Sequence, residues 1–231
     1  MRNALLTIDD SPNEFTSSIA SYLAAKKIQA VFFCIGRNIE QYIDESEIIL
    51  KCGHVIGNHS YSHQKFSKLS INECIEEIDK TEYLINELHK SLDIQRKRKY
   101  FRFPYGDKGV SNKFELQKLL KVKGFEKIHL KADVEYSWYR NSGLDDDTDI
   151  FWTFDCEDYR ISLLDENFDL IDVLNHISVK DPTNGGSLVS GFGTEIILIH
   201  DYSKTHTKFP DYYKTIISRI EEQGISFNEE N

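Results

Sequence analysis

Residues 4–12 read Ala-Leu-Leu-Thr-Ile-Asp-Asp-Ser-Pro. The apolar run Ala4 to Ile8 reads as a strand, and it stops on two adjacent carboxylates and a turn. The same alternation recurs along the chain, and that decides the fold. An amphipathic helix is expected over Glu14 to Lys27 and a strand rich in β-formers over Ala30 to Ile35. Glu40 to Lys51 reads as a helix capped by Gly53, and His54 to Gly57 as a short strand. Ser70 to Leu92 is a long helix, opened by Ser70 with Glu73 three residues on, a capping-box pattern. Tyr100 to Phe103 reads as a strand, Ser111 to Lys121 as a helix, and Phe125 to Leu130 and Ile150 to Phe154 as strands. A helix over Phe168 to Val179, a strand over Glu195 to Ile199 and a helix over Pro210 to Glu222 complete the pattern.

Strands alternating with helices imply an α/β fold, with a parallel sheet and helices packed outside it. About seven strands and a similar number of helices fit a barrel better than a small open sheet, and in such barrels chemistry sits at the C-terminal ends of strands. Two stretches read as loops, Asn141 to Asp149 and Lys180 to Gly193. The acid run Asp145-Asp146-Asp147 in the first lacks the spaced oxygens and terminal Glu of a calcium loop and reads as solvated.

Composition narrows the class. The chain has 231 residues, 40% hydrophobic and 29% charged, with 4 prolines, which suits one domain spanning 1–231 with a sizeable core. The net charge of −10 carries no electrostatic footprint for a phosphate backbone, so nucleic acid is not expected as a partner. The basic cluster Arg96-Lys97-Arg98-Lys99 reads as a solvated loop. No apolar stretch reaches the ~18 residues of a membrane helix. The segment Met1 to Leu6 shows no signal-peptide core, so a cytoplasmic location is expected unless an export signal has been trimmed. Cys34, Cys52, Cys74 and Cys156 are widely spaced and read as reduced thiols.

Five clusters follow strands directly. In Thr7-Ile8-Asp9-Asp10-Ser11-Pro12 two neighbouring carboxylates repel, and a metal on one would offset that cost and leave the other as a base. The same residues also suit a helix N-cap beside a turn. In Asn58-His59-Ser60-Tyr61-Ser62-His63 two histidines four apart can face one way on a helical turn and share a metal, for which neutral imidazole suits Zn, Co, Ni or Fe. His54, His89, His129, His176 and His206 lack such a setting and read as structural or surface. In Phe101-Arg102-Phe103-Pro104-Tyr105-Gly106 a buried Arg needs a carboxylate partner, unless it reaches solvent, and the turn can offer N–H groups to an oxyanion. Trp152 to Tyr159 places acids at a strand end, and Ile197-Leu198-Ile199-His200-Asp201-Tyr202 runs an apolar strand into a histidine that is a candidate general acid or else an N-cap or loop residue.

In order and composition these clusters resemble the polysaccharide deacetylase family, also called the NodB-homology or carbohydrate esterase family 4 domain. Its five motifs are T-F-D-D-G-P, H-S/T-x-x-H, R-x-P-Y/F-G, D-x-x-D-W and L-x-L-H-D. Here they stand at Thr7–Pro12, His59–His63, Arg102–Gly106, Asp155–Tyr159 and Leu198–Asp201. The resemblance implies a distorted (β/α)7 barrel and one divalent metal, usually zinc, held by Asp10, His59 and His63. It also implies Asp9 as base, Arg102 holding Asp9, His200 as acid and Asp158 orienting His200. The Tyr105 backbone N–H is the expected oxyanion donor, with Tyr159 and Leu198 lining the pocket. Ile8, Ser11, Tyr159 and Ile199 depart from the family pattern, and none of them removes a ligand, acid or base. The expected activity is removal of an acetyl group from an N-acetylated sugar. The alternatives are an O-acetyl esterase and a silent carbohydrate-binding relative. The acidic composition and the lack of an export signal favour a small nucleotide- or lipid-linked substrate over a peptidoglycan or chitin sheet.

Overall fold

The computed structural model describes residues 2–128, 130, 133–162, 167–180, 185–191 and 193–227. Strand β1 (Arg2–Ser11) lies at the centre, buried from Ala4 onward. It pairs in parallel with β2 (Ala30–Cys34) on one side and β5 (Thr194–His200) on the other. The sheet continues to β3 (Val55–Asn58) beyond β2 and to the two-residue β4 (Phe154–Asp155) beyond β5. Short β6 (Ile225–Phe227) pairs with the start of β1.

The sheet curls toward closure through an isolated bridge and a single hydrogen bond rather than through ladders. Phe101 bridges Asn58 in parallel at the β3 edge, and the Ile150 N–H donates to the Phe101 carbonyl at 2.8 Å. The same stretch runs on into β4, which is paired with β5. The expected strands over Tyr100–Phe103 and Ile150–Phe154 therefore shrink to a bridge and to β4. Phe125–Ile128 is not a strand; its link to the edge is the Glu126 N–H donating to Lys99 O at 3.0 Å. Part of that expected strand, with His129, lies outside the described residues, as does part of the Lys180–Gly193 loop.

Helices cover the outer face. They are α1 (Thr16–Ala25), α2 (Gly36–Gln41), α3 (Ile43–Lys51), α4 (Ile71–Ser91), α5 (Lys113–Val122), α6 (Ser137–Asn141), α7 (Leu170–Ile177), α8 (Ser203–Lys208) and α9 (Tyr212–Glu222). The capping box at Ser70 and Glu73 is formed in both directions. The expected Glu40–Lys51 helix is two helices, broken at Tyr42, whose backbone leaves the helical region. Neither α6 nor α8 was expected, because both are too short to show a helical period.

Period-two alternation sorts β1 and β5 into two faces. Leu6, Ile8, Ile197 and Ile199 pack under the helices with Phe32, Ile216 and Ile220. Leu5 and Ile196 pack inside with Val31, Phe33 and Tyr100. Asp9 shares parity with Leu5, and Leu198 and His200 share it with Ile196. The last inward positions of the two central strands thus carry an acid and a histidine, side by side in register.

Two polar stretches differ from expectation. The Arg96–Lys99 cluster is not simply solvated: Arg96 pairs with buried Glu82 at 2.8 Å and Lys99 with the same carboxylate at 3.1 Å. In the Asn141–Asp149 stretch, Asp147 and buried Asp149 pair with Lys108, while Asp146 stays exposed. All four cysteines are free, and three are buried.

Candidate active site

On a regular strand Asp9 and Asp10 would point to opposite faces. The register with β2 slips between Asp9 and Ser11, and Asp10 has a left-handed φ of 69°. This bulge turns Asp10 back, so both carboxylates line one cavity. Behind the bulge, the Ser11 hydroxyl donates to Asp201 at 3.0 Å. The departure from glycine at this position is thereby accommodated: Ser11 is fully buried and its hydroxyl satisfied.

His59 and His63 come together, with ring centroids 4.9 Å apart, but not on a helical turn. They sit in a loop bent by left-handed Ser60 and His63. Glu77 on α4 braces that loop, accepting from the Tyr61 N–H at 3.0 Å, the Ser62 N–H at 2.7 Å and the Ser62 hydroxyl at 2.7 Å. His59 Nδ1 lies 2.8 Å from the Arg102 carbonyl, which fixes its proton there and leaves Nε2 with a free lone pair. Burial pushes the His59 pKa down, so the ring is held neutral, as a ligand must be.

Asp10 Oδ1 lies 3.0 Å from His63 Nε2 and 3.6 Å from His59 Nε2, yet it is buried with no hydrogen bond. Burial alone would raise its pKa, but contact with His63 and the nearby His59 and His200 hold it well below the usual carboxylate range. An orphaned anionic oxygen facing two imidazole nitrogens is the donor set of a divalent cation of the zinc type. The residues therefore fit a metal.

Arg102 is 1% exposed, and its Nη1 donates to Asp9 Oδ1 and to Thr7 Oγ1, each at 2.8 Å. Its Nε donates to the Ile150 carbonyl at 2.9 Å. The guanidinium is thus the carboxylate-paired Arg that burial demands, and not one reaching solvent. Asp9 Oδ2 is left on the histidine side, 3.6 Å from His59 Nε2.

Across the cavity stands a second group, Asp155, Asp158 and His200. Asp158 is fully buried and accepts both from the His200 main-chain N–H, at 2.9 Å, and from ring Nδ1, at 3.1 Å. Burial opposes charge on His200, but Asp158, with Asp155 and Asp10, overrides it and raises the pKa to about 10. An imidazolium has no lone pair to offer, so this group suits proton donation and the first group suits metal binding. Burial also lifts Asp155 to about 6.

Asp9, Asp10, His59, His63, Tyr105, Tyr159, Leu198 and His200 all line this cavity of about 230 Å³, with Arg102 and Asp158 directly behind it. Tyr105 packs on His63 with centroids 4.6 Å apart, and its left-handed backbone marks the turn after Arg102. Trp152 and Asp155 belong to the fourth cluster and Tyr202 ends the fifth, with no individual role assigned from sequence, and all three line the cavity. Tyr202 directly follows the Leu198–Asp201 motif and stacks on His200 at 5.9 Å. A larger cavity, about 390 Å³, lies between Lys127 and Ile196 and contains no histidine among its described residues.

A model of a family described as polysaccharide deacetylase matches residues 2–124. The chain is 39% identical over 103 residues to a peptidoglycan-N-acetylglucosamine deacetylase of Bacillus cereus, a match covering 44% of this chain and 36% of the relative. It is 35% identical over 100 residues to chitin deacetylase 1 of Saccharomyces cerevisiae, covering 43% and 31%. The match thus spans about a third of the length of these relatives. Among solved structures, a family 4 carbohydrate esterase from Streptomyces lividans in complex with acetate superposes with a TM-score of 0.65. It is 19% identical, and the match covers 99% of this chain and 92% of that one. A family pseudoenzyme from Bacillus anthracis superposes with a TM-score of 0.64 at 22% identity, covering 97% and 63%. The parallel α/β fold is that of these distorted barrels.

Proposed function

The chain belongs to the polysaccharide deacetylase family, and on that premise we propose that it is a zinc-dependent hydrolase removing the acetyl group from an N-acetylated sugar. One observation carries the reading. An orphaned Asp10 oxygen with two imidazoles, and an imidazolium held by Asp158, face each other across one cavity beside a carboxylate gripped by Arg102.

Asp10, His59 and His63 would hold the cation, which when bound would polarise the amide carbonyl and acidify a water. Asp9 takes the proton from the attacking water through Oδ2, because Arg102 occupies Oδ1. Arg102 orients that carboxylate. The Tyr105 N–H stabilises the tetrahedral oxyanion. His200 then donates its Nε2 proton to the leaving amine, and Asp158 keeps the ring charged and aimed. Leu198 and Tyr159 wall the acetyl group.

The relatives named for peptidoglycan and chitin support a substrate bearing N-acetylglucosamine units. The test is acetate release by zinc-loaded protein from N-acetylated glucosamine oligomers and from acetylated xylan. Release from the amide substrate is expected. Release from xylan alone would make the protein an O-acetyl esterase. Oligosaccharide binding without release from either would make it a silent relative, as the pseudoenzyme of the same fold is described.

A further inference from the structure

Beside the cavity that holds Asp9 and His200 lies another of about 270 Å³. The two share Asp10, His63 and Tyr202 as a common wall. A glycan with its acetylated unit in the first would have the second beside it for its next unit. The second cavity is lined mostly by polar groups, Asp10 and Asp201 among them, and Arg37 is its one Arg or Lys among the described lining residues.

Arg37 is exposed, and its guanidinium makes no ion pair or hydrogen bond among the described residues. Asp10, which also lines this cavity, faces His59 and His63, and the other carboxylates nearby are engaged elsewhere. Asp201 accepts from Ser11, Asn13, Thr16 and His206. Glu14 accepts from the Ser203 hydroxyl at 2.9 Å, and Glu40 from the Tyr61 hydroxyl at 2.6 Å.

The backbone of Arg37 is fixed against the metal-ligand loop. Its N–H donates to the Tyr61 carbonyl at 3.0 Å, and the Gly36 N–H donates to the Ser60 carbonyl at 2.9 Å. Gly36 permits this approach: a Cβ there would fall 2.5 Å from Thr81 Oγ1 and 2.7 Å from the Tyr61 ring. In a protein of net charge −10, an unpaired guanidinium held at the mouth of an acid-lined site leaves its charge available to a ligand.

Resting on the deacetylase reading above, we propose that this second cavity is a subsite for the sugar next to the acetylated one. Arg37 binds a carboxylate on that sugar, so the preferred substrates are acidic glycans of the uronic-acid kind. A guanidinium matches a carboxylate with two parallel N–H bonds, which an ammonium cannot do. The pair is open to solvent, so its effect is modest and falls with salt.

The test uses an alternating N-acetylglucosamine–glucuronic acid tetrasaccharide and its methyl ester, in which the carboxylate charge is removed at the cost of one added methyl per uronate. Affinities are read by calorimetry on zinc-loaded protein carrying Asp9→Asn, so that binding does not depend on turnover. The acid form is expected to bind about 2- to 5-fold more tightly than the ester, as for an exposed ion pair. Arg37→Gln should erase the preference, Arg37→Lys should keep part of it, and added KCl should shrink it. Equal binding of acid and ester, or a preference surviving Arg37→Gln, overturns the proposal. Acetate release by the Asp9 protein is scored separately on the same sugars and on an N-acetylglucosamine tetramer. If none is released while the acid preference stands, the deacetylase reading fails and the subsite remains; release without the preference removes the subsite alone.

Discussion

The two walls of the cavity treat the same residue types in opposite ways. On the metal-ligand wall a carboxylate, Asp10, is driven down in pKa and an imidazole, His59, is kept neutral. On the other wall an imidazole, His200, is raised to about 10 and a carboxyl, Asp155, to about 6. Burial is the largest influence on all four, so it does not distinguish them. The partners do. Asp10 meets two histidines, whereas His200 meets a carboxylate that also receives its main-chain N–H. In the proposed deacetylase, groups pushed apart in this way would divide metal binding from proton donation within one small site.

The first consequence is that His63→Ala should abolish function through the metal wall alone. Metal affinity should fall by more than the ~100-fold that losing a ligand's supporting hydrogen bond can cost. Metal analysis showing a full equivalent after the substitution would place the cation elsewhere.

Asp9 sits between the walls, and Asp9→Asn tests whether it belongs to the chemistry or to the ligand set. A loss in kcat of about 10²- to 10⁴-fold with metal content unchanged is expected of a general base. Near-normal turnover at saturating metal would move the base to another group.

On the acid wall, His200→Ala should slow amide substrates more than activated esters, whose leaving groups need less protonation. Asp158→Asn is a finer probe. An acid must be protonated to act, so activity falls as pH rises through its pKa. Asp158 holds that pKa up at about 10 in the wild type. Removing its charge lowers the pKa, and the alkaline limb of the rate profile should move to lower pH. An unmoved limb would separate His200 from the acid role.

The smallest effect is expected at Glu77, which touches neither the cavity nor the acid wall. Glu77→Ala removes three hydrogen bonds from the histidine loop. A loss of about tenfold in metal affinity should follow, within the range seen for outer supporting groups. The alkaline limb should stay in place; if it moves, the two walls are coupled through the loop.

Much of the fold was legible because side-chain period and turn chemistry are local. The apolar run at Ala4–Ile8, the cap at Ser70 and Glu73 and the long helix that follows all formed as read. The expected strands at Tyr100, Phe125 and Ile150 were not legible in the same way. Their apolar residues do fill the interior, but a chain segment becomes a strand only when a neighbour offers a matching ladder. Here Arg102 Nε takes the Ile150 carbonyl instead.

The donor atoms and their order along the chain are properties of the side chains, so the sequence alone announced two acids, a histidine pair, an arginine and a second histidine at strand ends. Their charge states and aim are properties of distance between residues far apart in sequence. The bulge that turns Asp10 beside Asp9, the Arg102 carbonyl that selects the proton on His59, and the Asp158 carboxylate that charges His200 exist only once the sheet has brought β1, β3, β4 and β5 together. Electrostatic interaction falls with separation and with solvent, so only a packed, dry cavity could make these groups differ from one another.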